Sequence, residues 1–445
     1  MFFKKIETEG LAHFSYIVGD ESKAFVIDPR RDVDVYLKIA IDNNLEITHI
    51  FETHRNEDFI IGSIELSKKT GATIYISGHE DLGYEYGKEI FDNDEFQIES
   101  LKLKALHTPG HTKGHLSYVL YENKRTEPYL VFTGDSLFMG DLGRTDFYGK
   151  ENLEEMTGLL YDSITEKLFP LGDDTLVFPA HGSGSACGET MEERPYTTIG
   201  YEKKYNKALQ VDSREEFIKK FGKMRIKPRY FEKMEYFNIK GAPFVNGEIY
   251  LKTLKLDELK EDYTLLDIRS KEAFMGGYIP GSYFLNEGNI SAFLGTLFEI
   301  DENLVLISEK RDGEFLEKIY RQALRKGFDN IVGVLKDGVN SYLSSGKVLE
   351  KPETISSENL KDLSGNFTIL DIRKPSEIEE KPVELETINI PLEEIYKDYD
   401  KLDKNKKIYI LCAMGDRSST AYSFLTNKGF DCVIVKGGVT VLNKI

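Results

Sequence analysis

The chain has 445 residues, 40% hydrophobic and 12% aromatic with no tryptophan, enough at about 150 residues per domain for about three separately cored units. Its net charge of −18 excludes a general nucleic-acid binder, because nothing would offset repulsion from phosphates. No apolar run approaches the roughly 20 residues of a spanning helix, and the opening MFFKKIETEG has no long apolar core, so no membrane role is expected. In chain order, residues 14–28 read as two β-rich runs around a polar turn, a hairpin. A helix is expected over 32–44. A buried strand over 46–52 then runs into Thr53-His54-Arg55-Asn56-Glu57-Asp58-Phe59, with a helix following through 62–66. Short strands are expected at 72–76, 96–98 and 101–106, then at 116–121 and 129–133, the last ending at Gly134-Asp135. A strand at 175–178 ends at Pro179-Ala180-His181-Gly182, and residues 213–240 read as a charged helical stretch before a boundary at 241–247.

The run from Leu106 to His115 holds three of the eight histidines, His107, His111 and His115, with two glycines and a proline between them. That composition makes it a turn, not a helix face. All eight histidines fall within the first 181 residues. Uneven use of the commonest metal-ligand residue points to a metal site in the first part of the chain. Four expected strands end at His54, His111, Asp135 and His181, and strand ends gathered on one edge are where α/β folds place their sites.

The remainder contains a repeat. Tyr263-Thr-Leu-Leu-Asp267-Ile-Arg269 matches Phe367-Thr-Ile-Leu-Asp371-Ile-Arg373 at an offset of 104, and Lys326-Gly-Phe-Asp329 matches Lys428-Gly-Phe-Asp431 at 102. Each half alternates short apolar strands with helical stretches, so two small α/β domains with parallel sheets are expected.

Residues 53–59, 107–111, 134–135 and 179–182 resemble the signature loops of the metallo-β-lactamase fold, an αββα sandwich whose first loop usually reads His-x-His-x-Asp-His. Here Asn56 replaces the second histidine and Phe59 the last. A second-metal site built on Asp58 and His181 is therefore expected to be a ligand short. The first site keeps His54, His111 and Asp135, a two-histidine, one-carboxylate set with open positions opposite, as in non-haem Fe(II) oxygenases. Catalytic zinc also takes three ligands and a water, so ligand type alone leaves zinc open. The expectation is one Fe(II) per chain. The loop Gly143-Arg144-Thr145-Asp146-Phe147 is similar to that of persulfide dioxygenases, while glyoxalase II-type hydrolases keep the full two-metal set. This resemblance implies oxidation of a low-molecular-weight thiol persulfide by O₂ to sulfite and thiol. Around the ligands, Asp58 and His181 either orient substrate or water or are merely inherited. His115, like His107, is read as a hydrogen-bonding neighbour, and Arg144 as the partner of Asp146 ahead of a substrate clamp. Cys187 is either near the pocket or a small buried thiol.

Three cysteines, Cys187, Cys412 and Cys432, make no disulfide framework and suit a reducing cytoplasm. Cys412 stands between a buried strand and an expected helix, in Cys412-Ala413-Met414-Gly415-Asp416-Arg417. Backbone N–H groups and the positive end of a helix dipole there would stabilise a thiolate or persulfide. This resembles the active-site loop of rhodanese domains, and its Cys-x4-Arg spacing is shorter than the Cys-x5-Arg of cysteine phosphatases. The resemblance implies Cys412 and Arg417 as catalytic residues, with Ala413, Met414, Gly415 and Asp416 as the sulfur-binding loop. The matching position of the first copy is Ser308, which cannot hold a transferable sulfur, so that copy is expected to be a spacer or docking surface. Cys432 is read as core.

The order of parts is similar to persulfide dioxygenase–rhodanese fusions of bacterial sulfide detoxification. It implies a dioxygenase domain over 1–245, an inactive rhodanese-like domain over 248–350 and an active one over 355–445. Expected partners are thiol persulfide, O₂ and sulfite or thiosulfate, with no nucleic acid and no membrane, and a homo-oligomer is compatible with this reading. Two competing readings stand beside it. One is a zinc-dependent thioesterase of the glyoxalase II type with an accessory sulfurtransferase. The other is a sulfur carrier whose metal loop binds nothing.

Overall fold

The computed structural model describes residues 1–122, 125–185, 187–188, 190–245, 250–310 and 312–444. The chain divides into two compact units, residues 1–227 with 231–246, and residues 228–230 with 247–445. The domain boundary expected near residue 248 lies outside the described residues, as does the terminal Ile445.

In the first unit, β1 (Phe2–Thr8), β2 (His13–Gly19), β3 (Lys23–Ile27), α1 (Asp34–Asp42), β4 (Glu46–Phe51), α2 (Ser63–Thr70), β5 (Thr73–Ser77) and β6 (Lys88–Ile90) come first. They are followed by β7 (Glu95–Ile98), β8 (Leu101–His107), β9 (Leu116–Tyr121), β10 (Leu130–Gly134), α3 (Leu153–Asp162), β11 (Leu176–Pro179), β12 (Thr197–Thr198), α4 (Ile199–Tyr205), α5 (Arg214–Phe221) and α6 (Phe231–Lys240). The strands form two sheets, ordered β1-β2-β3-β4-β5-β6 and β12-β11-β10-β9-β8-β7. Strands β3 to β6 run parallel to one another.

Period-two side-chain alternation explains the layering. Along the wholly buried β2, Tyr16 and Val18 face the inter-sheet core with Phe25, Phe51, Leu103, Tyr118 and Phe132. Ile17 faces the other way, into a layer completed by Tyr36 of α1 and Leu66 of α2. Leu160 and Ile164 cover the outer face of the second sheet over Val119, Val131 and Val177. The result is an αββα sandwich. The expected hairpin is β2–β3. The edge strand β1, interrupted by Lys4 and Lys5, was not anticipated, nor were β6 and α3. The single helical stretch expected over 213–240 is instead two helices, α5 and α6, parted by a non-helical segment that contains Gly222 and Pro228.

The second unit carries two matching halves. The first runs β13 (Thr253–Leu254), β14 (Tyr263–Asp267), α7 (Lys271–Gly276), β15 (Tyr283–Phe284), α8 (Ile290–Leu297), β16 (Asn303–Ile307), α9 (Gly313–Arg325), β17 (Ile331–Leu335) and α10 (Val339–Ser344). The second runs β18 (Glu353–Ser356), β19 (Phe367–Asp371), α11 (Pro375–Glu380), β20 (Ile388–Asn389), α12 (Ile395–Asp398), β21 (Lys407–Leu411), α13 (Asp416–Asn427), β22 (Cys432–Lys436) and α14 (Gly438–Leu442). Their parallel sheets are ordered β13-β17-β16-β14-β15 and β18-β22-β21-β19-β20, the same crossover pattern twice. The repeated Asp-x-Arg has a structural reason. Arg269 and Arg373 each clasp the aspartate two residues before them and donate to the carbonyl eight residues on, Gly277 or Lys381, at 2.8 Å in both cases. These buried pairs tie the ends of β14 and β19 to the helices that follow, α7 and α11.

Candidate functional site

Strand β4 carries the chain into the loop of residues 52–62, all of it buried. There His54 is held by a relay. The Thr53 hydroxyl donates to Asp28 Oδ2 at 2.7 Å, so it must accept from His54 Nδ1 at 2.8 Å. His111, on the turn after β8, donates from Nδ1 to the Arg144 carbonyl at 2.8 Å. His181, after β11, donates from Nδ1 to Asp135 Oδ1 at 2.7 Å. Three imidazoles thus have Nδ1 committed to an acceptor, which leaves each Nε2 lone pair turned inward. Outer hydrogen bonds of this kind are what metal-binding histidines carry.

The inward atoms converge. The ligand atoms of His54, His111 and Asp135 all lie within 4.8 Å of one another, and all three residues are buried. Asp135 Oδ2 is 3.5 Å from His111 Nε2 and 3.9 Å from His54 Nε2. His54 Nε2 and Asp135 Oδ2 have no hydrogen-bond partner. Buried polar atoms left unpartnered are costly unless an ion completes them. The donor set therefore fits a divalent cation.

The replaced positions behave differently from each other. Phe59 fills an apolar pocket with Leu11 and Ile61, and its ring packs 4.1 Å from that of His13. Asn56 takes a left-handed backbone, φ +41°, and turns its amide back onto the His54 carbonyl at 3.2 Å. Its neighbour Glu57 faces inward instead, Oε2 lying 3.3 Å from His111 Nε2 and 3.8 Å from His54 Nε2. Burial pushes the Glu57 carboxyl up, but the hydrogen bond and charge of His111, then His54 and Arg55, outweigh it and hold it at about 2. The sequence reading did not select Glu57. It also passed over Asn238 of α6, whose Nδ2 donates to the carbonyls of Asn56 and Phe59 and whose Oδ1 accepts from Ile61 N, clamping the loop.

Asp58 and His181 form a second buried group, Oδ2 to Nε2 3.2 Å, and Cys187 brings its thiol to within 4.8 Å of both. The thiol expected either near the pocket or in core is thus at the site. Burial, with the nearby carboxylates of Asp135 and Asp58, pushes that thiol well up. His115 is a strut. Its Nε2 accepts from Asp135 N at 3.0 Å, so its Nδ1 must donate to Thr108 or Ser136, and no lone pair remains for an ion. His107 lies away from the centre, stacked 3.7 Å from His79. Arg144 makes a two-pronged pair with Asp146 at 2.7 and 2.8 Å, while its carbonyl orients His111. Gly143 permits that approach, because a Cβ there would meet Asp135 O at 1.8 Å.

In the second unit, Cys412 follows β21 and is 1% exposed, and its sulfur accepts from Gly415 N at 2.9 Å. Gly415 reverses the loop with φ +99°, and α13 begins at Asp416. Val439 N and Thr440 N of α14 hold the Cys412 and Ala413 carbonyls at 3.0 Å each. Met414 is exposed at the rim. Arg417 directs both terminal nitrogens to Glu377 of α11, at 2.8 and 2.5 Å, so it braces the loop from the side. In the first copy, Ser308 closes on its own turn by donating to the Lys310 carbonyl at 2.8 Å. That copy packs on the helix behind Cys412. Phe284 N donates to Ser423 Oγ of α13 at 2.9 Å, Lys271 pairs with Asp416 at 2.9 Å, and one core cluster spans both halves. Cys432 is buried in β22, and burial pushes its thiol up to about 12. Among the described residues no helix is long and apolar enough to cross a membrane.

Comparison with known proteins gives the family. Residues 8–181 match the family "Metallo-beta-lactamase superfamily", and residues 252–345 and 356–444 each match "Rhodanese-like domain". Human mitochondrial persulfide dioxygenase ETHE1 is 31% identical over 49% of this chain and 80% of its own length. The hydroxyacylglutathione hydrolase GloC of Haemophilus influenzae is 31% identical over 45% of this chain and 93% of its own. A crystal structure of a metallo-beta-lactamase from Staphylococcus aureus superposes with a TM-score of 0.68 at 31% identity, covering 75% of this chain and 98% of that one. The chain belongs to the metallo-β-lactamase superfamily, a metal-binding fold, and carries two rhodanese-like domains after that domain.

Proposed function

We propose that the first unit is a non-haem iron persulfide dioxygenase and that Cys412 transfers sulfane sulfur in the second. The observation that supports this is the inward set of His54, His111 and Asp135 on a chain that also holds a loop-bound thiol, a pairing that suits two centres acting on the same sulfur substrate. His54, His111 and Asp135 would hold Fe(II), which supplies the redox chemistry with O₂. The net reaction is RSSH + O₂ + H₂O → RSH + SO₃²⁻ + 2 H⁺. The protein's part is to keep Nε2 of both histidines unprotonated through Thr53 and the Arg144 carbonyl, and to hold Asp135 through His115 and His181. At the other centre the Cys412 thiolate attacks the outer sulfur of RSSH. The S–S bond breaks, RSH leaves with the proton, and Cys412 keeps the sulfur as a persulfide. Sulfite then attacks that outer sulfur, releasing thiosulfate and the thiolate. Backbone N–H groups such as Gly415 N stabilise the sulfur's negative charge in both states.

The test is metal analysis of the purified protein together with O₂ uptake. Iron near one per chain, with O₂ consumed only when persulfide is added, supports the reading. The likeness to a hydroxyacylglutathione hydrolase favours a second reading, a zinc thioesterase. Bound zinc and thioester cleavage would replace the dioxygenase with it.

A further inference from the structure

We propose that Lys271, supplied by the copy that carries Ser308, is the cation that receives the sulfur oxyanion exchanged at Cys412, sulfite in one direction and thiosulfate in the other. The inference rests on the reading of Cys412 as a carrier of sulfane sulfur, and it gives the copy without a cysteine a part in that chemistry.

Sulfite and thiosulfate are anions and Cys412 is 1% exposed, so an oxyanion that reaches it leaves water and needs a positive group beside the thiol. The loop's own cation is Arg417, and both of its terminal nitrogens are committed to Glu377, at 2.8 and 2.5 Å. A second cation comes from the other half of the unit. Lys271 Nζ lies 2.9 Å from Asp416 Oδ1 and would stand 3.3 Å from a Cβ placed on Gly415, the residue whose N–H holds the Cys412 sulfur. It therefore lies over the loop itself.

Packing delivers it there. Residues three and four apart share a helix face. Along α7 and α13, Lys271 meets Asp416, Met275 Sδ lies 3.9 Å from Ser419 Oγ, and Tyr278 OH, just beyond α7, lies 3.4 Å from Tyr422 OH. These three matched pairs fix the register, so the first residue of α7 meets the first residue of α13. Ser270 caps α7 by accepting from Ala273 N at 3.2 Å, and Arg269 holds its far end through the Gly277 carbonyl, so the backbone under Lys271 is anchored on both sides. A salt bridge that merely joins the two halves is the competing account. Asp416 is exposed and Lys271 partly so, and such a pair adds little stability. The halves are already joined by the Phe284–Ser423 hydrogen bond and a shared core. Asp416 instead keeps Lys271 over the loop between turnovers, and an exposed carboxylate yields it readily to an oxyanion.

The experiment uses the full chain and measures thiosulfate formation from a thiol persulfide and sulfite. A hydrogen bond to a charged group corresponds to roughly 10-fold or more in affinity. Lys271→Gln should raise the KM for sulfite about 10-fold with kcat little changed, and Lys271→Arg should restore most of the loss. The same loss is expected in an Asp416→Asn background, where no ion pair remains to be broken, which separates anion binding from a structural role. Alkylation of Cys412, followed on its peptide by mass spectrometry, is the second readout. Lys271→Gln should slow the reaction with negatively charged iodoacetate about 10-fold and leave that with neutral iodoacetamide unchanged. Equal slowing of both reagents, an unchanged KM for sulfite, or disappearance of the effect in the Asp416→Asn background overturns the proposal. A wild-type chain that forms no thiosulfate is a different failure, that of Cys412 as the sulfur carrier.

Discussion

Thr53→Val tests whether the Asp28–Thr53–His54 relay sets the ion site. Valine keeps the shape of threonine but removes the hydroxyl that donates to Asp28 Oδ2 at 2.7 Å and accepts from His54 Nδ1 at 2.8 Å. Asp28 keeps the backbone bond from Thr53 N at 2.8 Å, so the loop retains one anchor. His54 loses the hydroxyl that fixes its Nδ1 inside a fully buried site, and its ring becomes free to rotate or to change tautomer. Leaving a buried donor and a buried acceptor unpaired costs about 1–3 kcal/mol of stability. Losing an orienting partner lowers metal affinity about 10–100-fold. Thermal unfolding of the metal-free protein reads the first effect and chelator competition with Co(II) the second. The sulfur-transfer activity of Cys412 serves as a check that the remaining chain is folded. If Thr53→Val lowers stability but binds Co(II) as wild type does, His54 is not oriented by the relay and the assignment of its Nε2 to the ion fails.

Other outcomes follow from the same geometry. His111→Ala should abolish iron binding and sulfite production while leaving sulfur transfer between thiosulfate and thiol, and Cys412→Ser should do the reverse; loss of both activities in either variant refutes two independent centres. Gly438→Ala should cost the second unit well over about 1 kcal/mol and impair sulfur transfer without changing iron content, because φ is +55° and a Cβ would meet the Cys412 and Ala413 carbonyls at 2.3 and 2.6 Å. Burial raises the carboxyls of Asp28 to about 7 and Glu52 to about 8, so the folded chain holds protons that the unfolded chain releases above its ordinary carboxylate range. From these two groups the metal-free protein should lose stability as pH rises from about 4 to about 8, and Asp28→Asn with Glu52→Gln should flatten that slope in denaturant titrations. The ion content should be one per chain, and a second equivalent of Cd²⁺ that disappears in Cys187→Ser would refute it by making Asp58, His181 and Cys187 a second site.

Much of the architecture is legible in the sequence for one physical reason. Strand β10 is buried throughout and reads as a near-continuous apolar run, β8 alternates buried with half-buried residues, and in each case the polar residues that follow mark where the strand stops. That is how His54, His111, Asp135 and His181 could be gathered before any contact was known. What stays hidden depends on one backbone angle or on distant chain. Glu57 turns inward only because Asn56 is left-handed, and Asn is a residue that tolerates φ above zero, so the replaced histidine was itself the available signal. Asn238 reaches the loop from 182 residues away, and no local pattern announces it. The break between α5 and α6 was visible in Gly222 and Pro228 but was outweighed by the charged helical composition on either side.

The two substitutions in the first loop have opposite physical meanings, and this bears on what the site can bind. Phe59 removes a donor outright: its ring is committed to an apolar pocket with Leu11 and Ile61, and restoring a histidine there would bury a polar ring among them. Asn56 stays polar but turns away: its amide returns to the His54 carbonyl at 3.2 Å, and the same left-handed turn brings Glu57 Oε2 to 3.3 Å from His111 Nε2 while Arg55 holds the other oxygen of Glu57. One position is lost to apolar packing and the other to a backbone turn, so the donors that converge, His54, His111 and Asp135, are supplied by three separate loops and by no single motif.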